Sequence, residues 1–400
     1  MSTRQAAVLA VNAGSSSLKF ALYPQAGRTV DAAHLSGNID GLEAGGTPTL
    51  RLCSDQGDSD RVLNGGAGDS FELALAALDG VLAQHADEFR ICAIAHRIVH
   101  GGERFSESLV LDDDALTYLA TLAPLAPLHQ PHNLDGVAGF RRNYPGLPQV
   151  GCFDTAFHAS LPQTEQLFAL PKALRSAGIR RYGFHGLSYR YVMDRLLEQS
   201  ARAAGRVLIA HLGNGASACA VAAGKSVATT MGFSALDGLM MGTRSGSVDP
   251  GVLLHLMRAG WSTDDLERML YRESGLRGVS GLSSDMRTLD ASADPDAVLA
   301  IDLFIHRLIR ECGALTSCLG GLDLIAFTGG IGEHDAVLRQ RSCDALAYLG
   351  VRLDEDANRA AIGNTIHAIH APGSSIEVWV VPTDEGRVAA SDAMRLLSSH

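Results

Sequence analysis

The sequence predicts an α/β protein built from two similar halves. Three observations carry that prediction. Short apolar runs at 7–11, 207–212 and 324–327 each lead into a glycine-bearing polar turn. The first of these patterns, VLAVNAGSSSLKF, returns half a chain later as VLIAHLGNGASACAV. Between the turns stand longer segments whose apolar residues recur at helical spacing.

Taken in order, VLAV, the loop NAGSSS and LKFALY predict an opening β-hairpin. Placing Val8 on Val207 sets Asn12 on His211 and Gly14 on Gly213, with both strand pairs in register, so each half opens on the same hairpin. Residues 36–69, rich in Gly, Asp, Ser and Thr, predict hairpins and surface loops. Apolar periodicity marks helices at 70–85, 187–204, 248–258, 297–319 and 336–346. Glu385, in VVPTDEGR, follows a strand and opens a last helix.

Composition bounds the function. Of 400 residues, 46% are hydrophobic and 19% charged, which supplies a large core and excludes wholesale disorder. Lys+Arg is 33 against 44 acidic residues, a formal charge of -11, so a nucleic-acid or anionic-membrane surface is not predicted. Only Lys19, Lys172 and Lys225 are lysines, leaving arginine as the main cation. Seven scattered cysteines without a CxxC signal neither a disulfide framework nor a zinc site. The N-terminal apolar run is too short for a signal peptide, and the apolar stretch 116–128 is broken by Pro124 and Pro127. A soluble, cytoplasmic protein is expected.

Several familiar patterns nearly match. AGKS at 223–226 ends like a phosphate-binding P-loop, but Cys219 stands where its first glycine belongs, so Lys225 is expected at a hairpin turn. GNGASA fits a dinucleotide fingerprint, yet ACAVAAGKSVATT predicts strand, turn, strand and no crossover helix. HRIVH at 96–100 has zinc-protease spacing, but Arg97 replaces the needed Glu and Ile-Val favours a strand.

What remains points to an anion. The three glycine loops let backbone N–H groups approach a phosphate, with hydroxyls from Ser15, Ser16 and Ser17 and the cation Lys19 beside the first. Arg244, in MGTRSGSVDPG, precedes a helix start at Asp249-Pro250. Arg97 in AHRIVHGGE, taken alone, fits a surface ion pair as well as a ligand contact. His185 in YGFHGLS, Asp154 in CFDTAFH and Glu385 each fit a helix cap as well as a catalytic role. As a set they suit phosphoryl transfer, which needs backbone cradles, a metal and cations more than covalent help.

In order and spacing, VLAVNAGSSSLKF, RYGFHGLSY, AHLGNGASACAV, MGFSALDGLMMGTRSGSVDPG, AFTGGIGEHD and PTDEG closely resemble the acetate kinase family, over essentially the whole chain. The resemblance implies two duplicated ribonuclease-H-like, actin-type domains with a nucleotide cleft between them. Residues 1–150 with 386–400 would form an acyl- and metal-side domain completed by the C-terminal helix, and 151–385 a nucleotide-binding domain. The implied reaction is reversible transfer of a phosphoryl group from ATP to acetate, giving acetyl phosphate and ADP, with Mg²⁺ or Mn²⁺ as cofactor. A cytoplasmic homodimer feeding acetyl-CoA synthesis is implied with it.

Position by position, the resemblance implies that Asn12 and Glu385 belong to the metal site and that Lys19 touches nucleotide phosphate. Arg97 would hold the acyl carboxylate or its phosphate. Asp154 would be the essential carboxylate, and His185 and Arg244 would stabilise the transferring group. His211, Leu212, Gly213, Asn214 and Gly215, with Asp285, Met286 and Arg287, and Gly329, Gly330, Ile331, Gly332 and Glu333, would form the nucleotide site. Val99, Leu128 and Phe184 match the family's apolar pocket for the acyl chain. One position departs: where the family has MGFTPLEG this chain has MGFSALDG, so Ala235 replaces a pocket-wall proline. That change predicts broader acceptance of propionate, and a propionate kinase or a form with another phosphoryl donor is the alternative reading.

Overall fold

The structure is a computed structural model and describes residues 4–43, 45–54, 57–64 and 70–398. The chain divides into two units, Met1–Ala156 with Asp384–His400, and Phe157–Thr383.

The first unit is built on a sheet of β1 (Gln5–Ala13), β2 (Ser17–Ala26), β3 (Thr29–Val30), β4 (Leu35–Asp40), β5 (Thr49–Ser54), β6 (Ser59–Val62), β7 (Phe89–Ile98), β8 (Leu109–Val110) and β9 (Gln149–Phe153). Its order is β6-β5-β4-β2-β1-β7-β9-β8, with β3 against β2. β1 is buried along most of its length and β7 along its second half, as strands covered on both faces must be. Helix Ser70–Gln84 buries Ala74, Leu75, Leu78 and Val81 against this sheet's core.

The C-terminal helix Glu385–Leu397 completes the same unit. Its small residues Ala389, Ala390 and Ala393 are buried and let it approach β1 and β7 closely. Two carboxylates near its start and middle fix it. Asp384 accepts a hydrogen bond from Tyr23 (2.5 Å), and buried Asp392 accepts one from Ser108 (2.6 Å).

The second unit has a six-stranded sheet of β10 (Arg206–Leu212), β11 (Ala216–Ala222), β12 (Lys225–Thr229), β13 (Leu324–Thr328), β14 (His367–Ala368) and β15 (Glu377–Val380), in the order β12-β11-β10-β13-β15-β14. Its six strands repeat the order and directions of β4-β2-β1-β7-β9-β8 in the first sheet. β4-β2-β1 are antiparallel and β1-β7-β9 parallel, while β12-β11-β10 are antiparallel and β10-β13-β15 parallel. This is the duplicated ribonuclease-H-like fold that the family resemblance implies.

The structure also corrects details. The first strands of the two hairpins align as expected, ending at Ala13 and Leu212, but the second strands slip by one residue. Asn12 faces Lys19, whereas His211 faces Ser217. The second loop is one residue shorter, so Ser217 takes the place opposite the loop that Lys19 holds in the first half. Lys225 opens β12, and the turn itself is Ala223 and Gly224, both at positive φ (48° and 77°). The helical stretch predicted over 187–204 stops at Gln199, where Ser200 turns extended and caps a 3-10 turn Ala201–Ala204. Within 36–69, the described residues form the β4-β5-β6 meander, and residues 44, 55–56 and 65–69 lie outside the description. Helices Asp113–Thr121 and Gln130–Asn143 flank the Pro124–Pro127 break and were not signalled by periodicity.

Candidate functional site

In the first unit the chemistry gathers at the C-terminal ends of β1 and β7. Asn12 and Lys19 face one another across the hairpin, and both line a cavity of about 190 Å³ with Tyr23, Arg97 and Glu385. Arg97 sits one residue before the end of β7, and Asp154 directly follows β9, its parallel neighbour. The strand ends therefore present the pair side by side. The Arg97 guanidinium donates to both Asp154 oxygens, through Nη2 to Oδ2 at 2.7 Å and through Nε at 3.1 Å to each. Nε also lies 3.3 Å from a Glu385 carboxylate oxygen. Asp154 is 1% exposed, and its backbone N–H donates to Ile98.

Burial opposes the charge on Arg97, but the Asp154 and Glu385 carboxylates outweigh it and raise the guanidinium's pKa. The arginine is thus a fixed cation whose planar fork is aimed by a carboxylate behind it. Asn133 braces the same strand ends. Its amide donates to the Ala13 carbonyl (2.7 Å) and accepts the Val99 N–H (3.0 Å). Nothing in HNLDG distinguishes that asparagine from a surface residue, and sequence reasoning missed it. Val99 and Leu128 are partly buried in this unit, and neither lines the 190 Å³ cavity.

Of the HRIVH histidines, His96 lies on β7 and His100 just past its end, and neither is on a helix. His96 contacts Gln149 (2.6 Å), and His100 Nδ1 accepts from the Gly102 N–H (2.8 Å). Burial lowers both to about 4, so both are neutral at pH 7.

In the second unit His185 occupies the N-cap of helix Gly186–Gln199 with φ of 59°, a left-handed conformation that costs a non-glycine residue about 1–2 kcal/mol. What it gains is orientation. Its Nδ1 is 2.8 Å from Ser217 Oγ, and its ring stacks on His211 at 4.3 Å. His211 Nδ1 in turn meets Ser188 Oγ (2.8 Å), which meets Thr383 Oγ1 (3.0 Å). A Cβ placed on Gly215 would stand 3.4 Å from His185 Nε2 and 3.8 Å from Arg244 Nη1. Imidazole and guanidinium therefore face the same bare glycine. Arg244 Nη1 also donates to the carbonyl of Ala235 (2.9 Å), a contact that any residue at 235 would retain.

Beneath this group lies His158, 1% exposed, which the sequence did not single out. It contacts Ser226 Oγ (2.8 Å) and the Phe184 carbonyl (2.9 Å), and so fixes the backbone just ahead of His185. Burial lowers its pKa to about 4. Phe184 is itself 2% exposed.

A second cavity, about 800 Å³, opens on the same unit and is large enough for a nucleotide. Of the predicted residues, Gly213, Asn214, Asp285, Met286, Arg287, Gly330 and Ile331 line it. Asp285 caps helix Met286–Asp290 and holds Arg287 at 2.8 Å. His334 and Asp335 also line it, and they were within reach of the sequence because EHD follows the GGIG turn directly.

His211, Leu212, Gly215, Gly329, Gly332 and Glu333 do not line that cavity. Two of them shape its wall from behind. Gly329 has φ of 76°, and a Cβ there would meet the Leu212 carbonyl at 2.7 Å, so only glycine permits this approach. The Glu333 carboxylate accepts from the N–H of Gly329 (2.8 Å) and of Thr383 (3.1 Å), which makes it a brace for the turn.

Duplicated sheets of this succession, the second unit carrying a glycine-edged cavity of nucleotide size, define a protein of the actin-like nucleotide-binding fold. The comparisons narrow this. The acetokinase family model matches residues 7–391. An acetate kinase of Rhodopseudomonas palustris is 47% identical over 394 residues, covering 97% of this chain and 98% of that protein. A propionate kinase of Yersinia enterocolitica is 44% identical over 408 residues, covering 97% and 95%. The crystal structure of Porphyromonas gingivalis acetate kinase superimposes with a TM-score of 0.86 at 36% identity, covering 98% of this chain and 100% of that one. The chain belongs to the acetokinase family.

Proposed function

We propose that this chain transfers the γ-phosphoryl group of ATP to acetate, reversibly, by direct in-line attack of a carboxylate oxygen. The new bond is carboxylate oxygen to γ-phosphorus. The bond that breaks joins γ-phosphorus to the bridging oxygen, whose electron pair leaves with ADP. Acetate is already ionised at neutral pH, so no strong base is needed. The obstacle is repulsion between two anions, and cations must overcome it.

The observation that carries this reading is Arg97, held by Asp154 beside Lys19 in a cavity sized for a small anion. Arg97 binds the acyl carboxylate, and Asp154 orients the guanidinium and organises charge rather than removing a proton. His185 and Arg244 stabilise the transferring phosphoryl oxygens, while the 800 Å³ cavity takes the nucleotide. The first unit is then the acyl and metal side and the second the nucleotide side.

A divalent ion is part of the proposal. Asn12 and Glu385 offer hard oxygen donors in the same cavity as Lys19, and so few protein ligands suit Mg²⁺, which keeps most of its waters. When bound, the ion neutralises phosphate charge. A cytoplasmic homodimer completes the reading by family likeness.

Ala235 favours a second substrate alongside the first. Losing the proline ring leaves the Arg244-binding carbonyl in place and removes only bulk, so propionate should be accepted as well. The test is to trap acyl phosphate with hydroxylamine from Mg-ATP and formate, acetate, propionate or butyrate. Hydroxamate from acetate, with propionate close behind, is expected. No hydroxamate from any acid, with ATP still bound, would overturn the reading.

A further inference from the structure

Away from both cavities, three side chains of the first unit converge in a way the phosphoryl chemistry does not use. His34 stands one residue before β4, and its N–H is bonded to the Leu22 carbonyl (2.8 Å). His85 and Glu88 belong to the turn between helix Ser70–Gln84 and β7. That turn is pinned by bonds from the Glu88 and Phe89 N–H groups to the His85 carbonyl (3.1 and 3.0 Å), and by Gln5 N–H to the Glu88 carbonyl (2.9 Å). The backbones that carry all three side chains are thus fixed before any ligand arrives.

His34 Nε2 and His85 Nδ1 are 3.3 Å apart, and one donor atom from each of His34, His85 and Glu88 lies within 4.8 Å of the others. Two imidazole nitrogens at about 2.0–2.1 Å from a tetrahedral zinc ion are separated by about 3.3 Å. The His34 ring is steadied by Phe89, with centroids 4.6 Å apart. Both histidines are half-buried and Glu88 is exposed, which leaves one side open to a water ligand.

We propose that His34, His85 and Glu88 form a second metal site, for Zn²⁺ or a similar borderline transition ion. Two imidazoles and one carboxylate suit Zn²⁺, Co²⁺, Ni²⁺ or Cu²⁺ and do not suit Mg²⁺, which demands an octahedron of oxygens. The site is therefore chemically separate from the Mg²⁺ that the kinase reaction uses. The ion would tie the turn after helix Ser70–Gln84 to the start of β4, where the edge meander joins the sheet. Its consequence is structural: binding stabilises this edge and leaves turnover alone.

The test uses the untagged full-length chain, stripped with EDTA and held in excess Mg²⁺ to keep the hard-oxygen sites filled. Co²⁺ titration, followed by visible absorption and reversed by Zn²⁺, reads the site. One equivalent with a tetrahedral nitrogen–oxygen spectrum is expected. His34→Gln should weaken binding by about tenfold or more and Glu88→Gln by less, with acetyl phosphate formation unchanged in both, which also shows that they fold. If Co²⁺ affinity is the same in the wild type and both variants, or no equivalent binds, the pair is only two hydrogen-bonded imidazoles and the proposal is wrong.

Discussion

Ser217 Oγ stands 2.8 Å from His185 Nδ1 and also meets the hydroxyl of buried Tyr189. One small side chain on β11 therefore sets the ring of the histidine proposed to meet the phosphoryl group. His185 has a left-handed backbone, and without Ser217 its Nδ1 would lose that partner.

Ser217→Ala should accordingly lower kcat by about 10- to 100-fold, since small misplacements of catalytic groups have effects of that order, with little change in KM for acetate. Burial of the Tyr189 hydroxyl adds a stability loss of about 1–3 kcal/mol. A Ser217→Thr variant, which keeps the hydroxyl, should recover much of both. Steady-state kinetics and urea unfolding on the two variants check this.

At Arg97 the fork matters more than the charge. Arg97→Lys should reduce kcat/KM for acetate by at least about tenfold, because an ammonium cannot span both Asp154 and a substrate carboxylate. Arg97→Ala should in addition destabilise the first unit by about 3–5 kcal/mol, since it leaves Asp154 buried without its cation. An Arg97→Lys enzyme with wild-type kinetics would refute this account of the pair.

With residue 235 in the pocket wall that the family resemblance implies, Ala235→Pro should shift preference toward acetate. The expected change in the acetate-to-propionate ratio of kcat/KM is about tenfold, within the 1–3 kcal/mol that a methylene commands. The Arg244 contact is to the residue-235 carbonyl, so turnover with acetate should persist.

Acid should weaken the fold through its neutral histidines. Burial lowers His96, His100 and His158 to about 4, against 6.5 when unfolded. Between these values the unfolded chain binds protons that the folded chain does not. Their stabilising contribution is therefore complete above 6.5 and is lost as pH falls toward 4. Each histidine contributes a slope of up to about 1.4 kcal/mol per pH unit. His158→Asn should flatten the pH dependence of unfolding by about one proton in that window, as read by urea midpoints.

The fold was legible wherever local pattern and tertiary demand agreed. The glycine turn at Gly329 marks a strand end because close backbone approach there admits no Cβ. The hairpin repeat gave the duplication, but a loop shorter by one residue moved Ser217 into a place that alignment by letter could not reveal. Helix Gln130–Asn143 escaped notice because its buried face includes Gln130, Asn133 and Gly136, which periodicity does not count as apolar.

In the candidate site the charged residues stand out in the sequence and their supports do not. Arg97, Asp154, His185 and Arg244 stand in unusual glycine-rich or strand-end contexts. Ser217, Asn133 and His158 stand in ordinary ones, and their work depends on partners far away in sequence, such as Ala13 and Phe184. Glu333 shows the reverse case. Its place in GGIGEHD suggested a ligand contact, and its carboxylate is engaged by the backbone of Gly329 and Thr383.

The central claim is that acetate attacks γ-phosphorus directly, with the cations doing the catalysis and no side chain carrying the phosphoryl group. ATP made chiral at the γ-phosphorus with oxygen isotopes tests it in one measurement, the configuration of the acetyl phosphate formed. A single in-line transfer predicts inversion. Retention would require two transfers through a phosphorylated residue and would contradict the account.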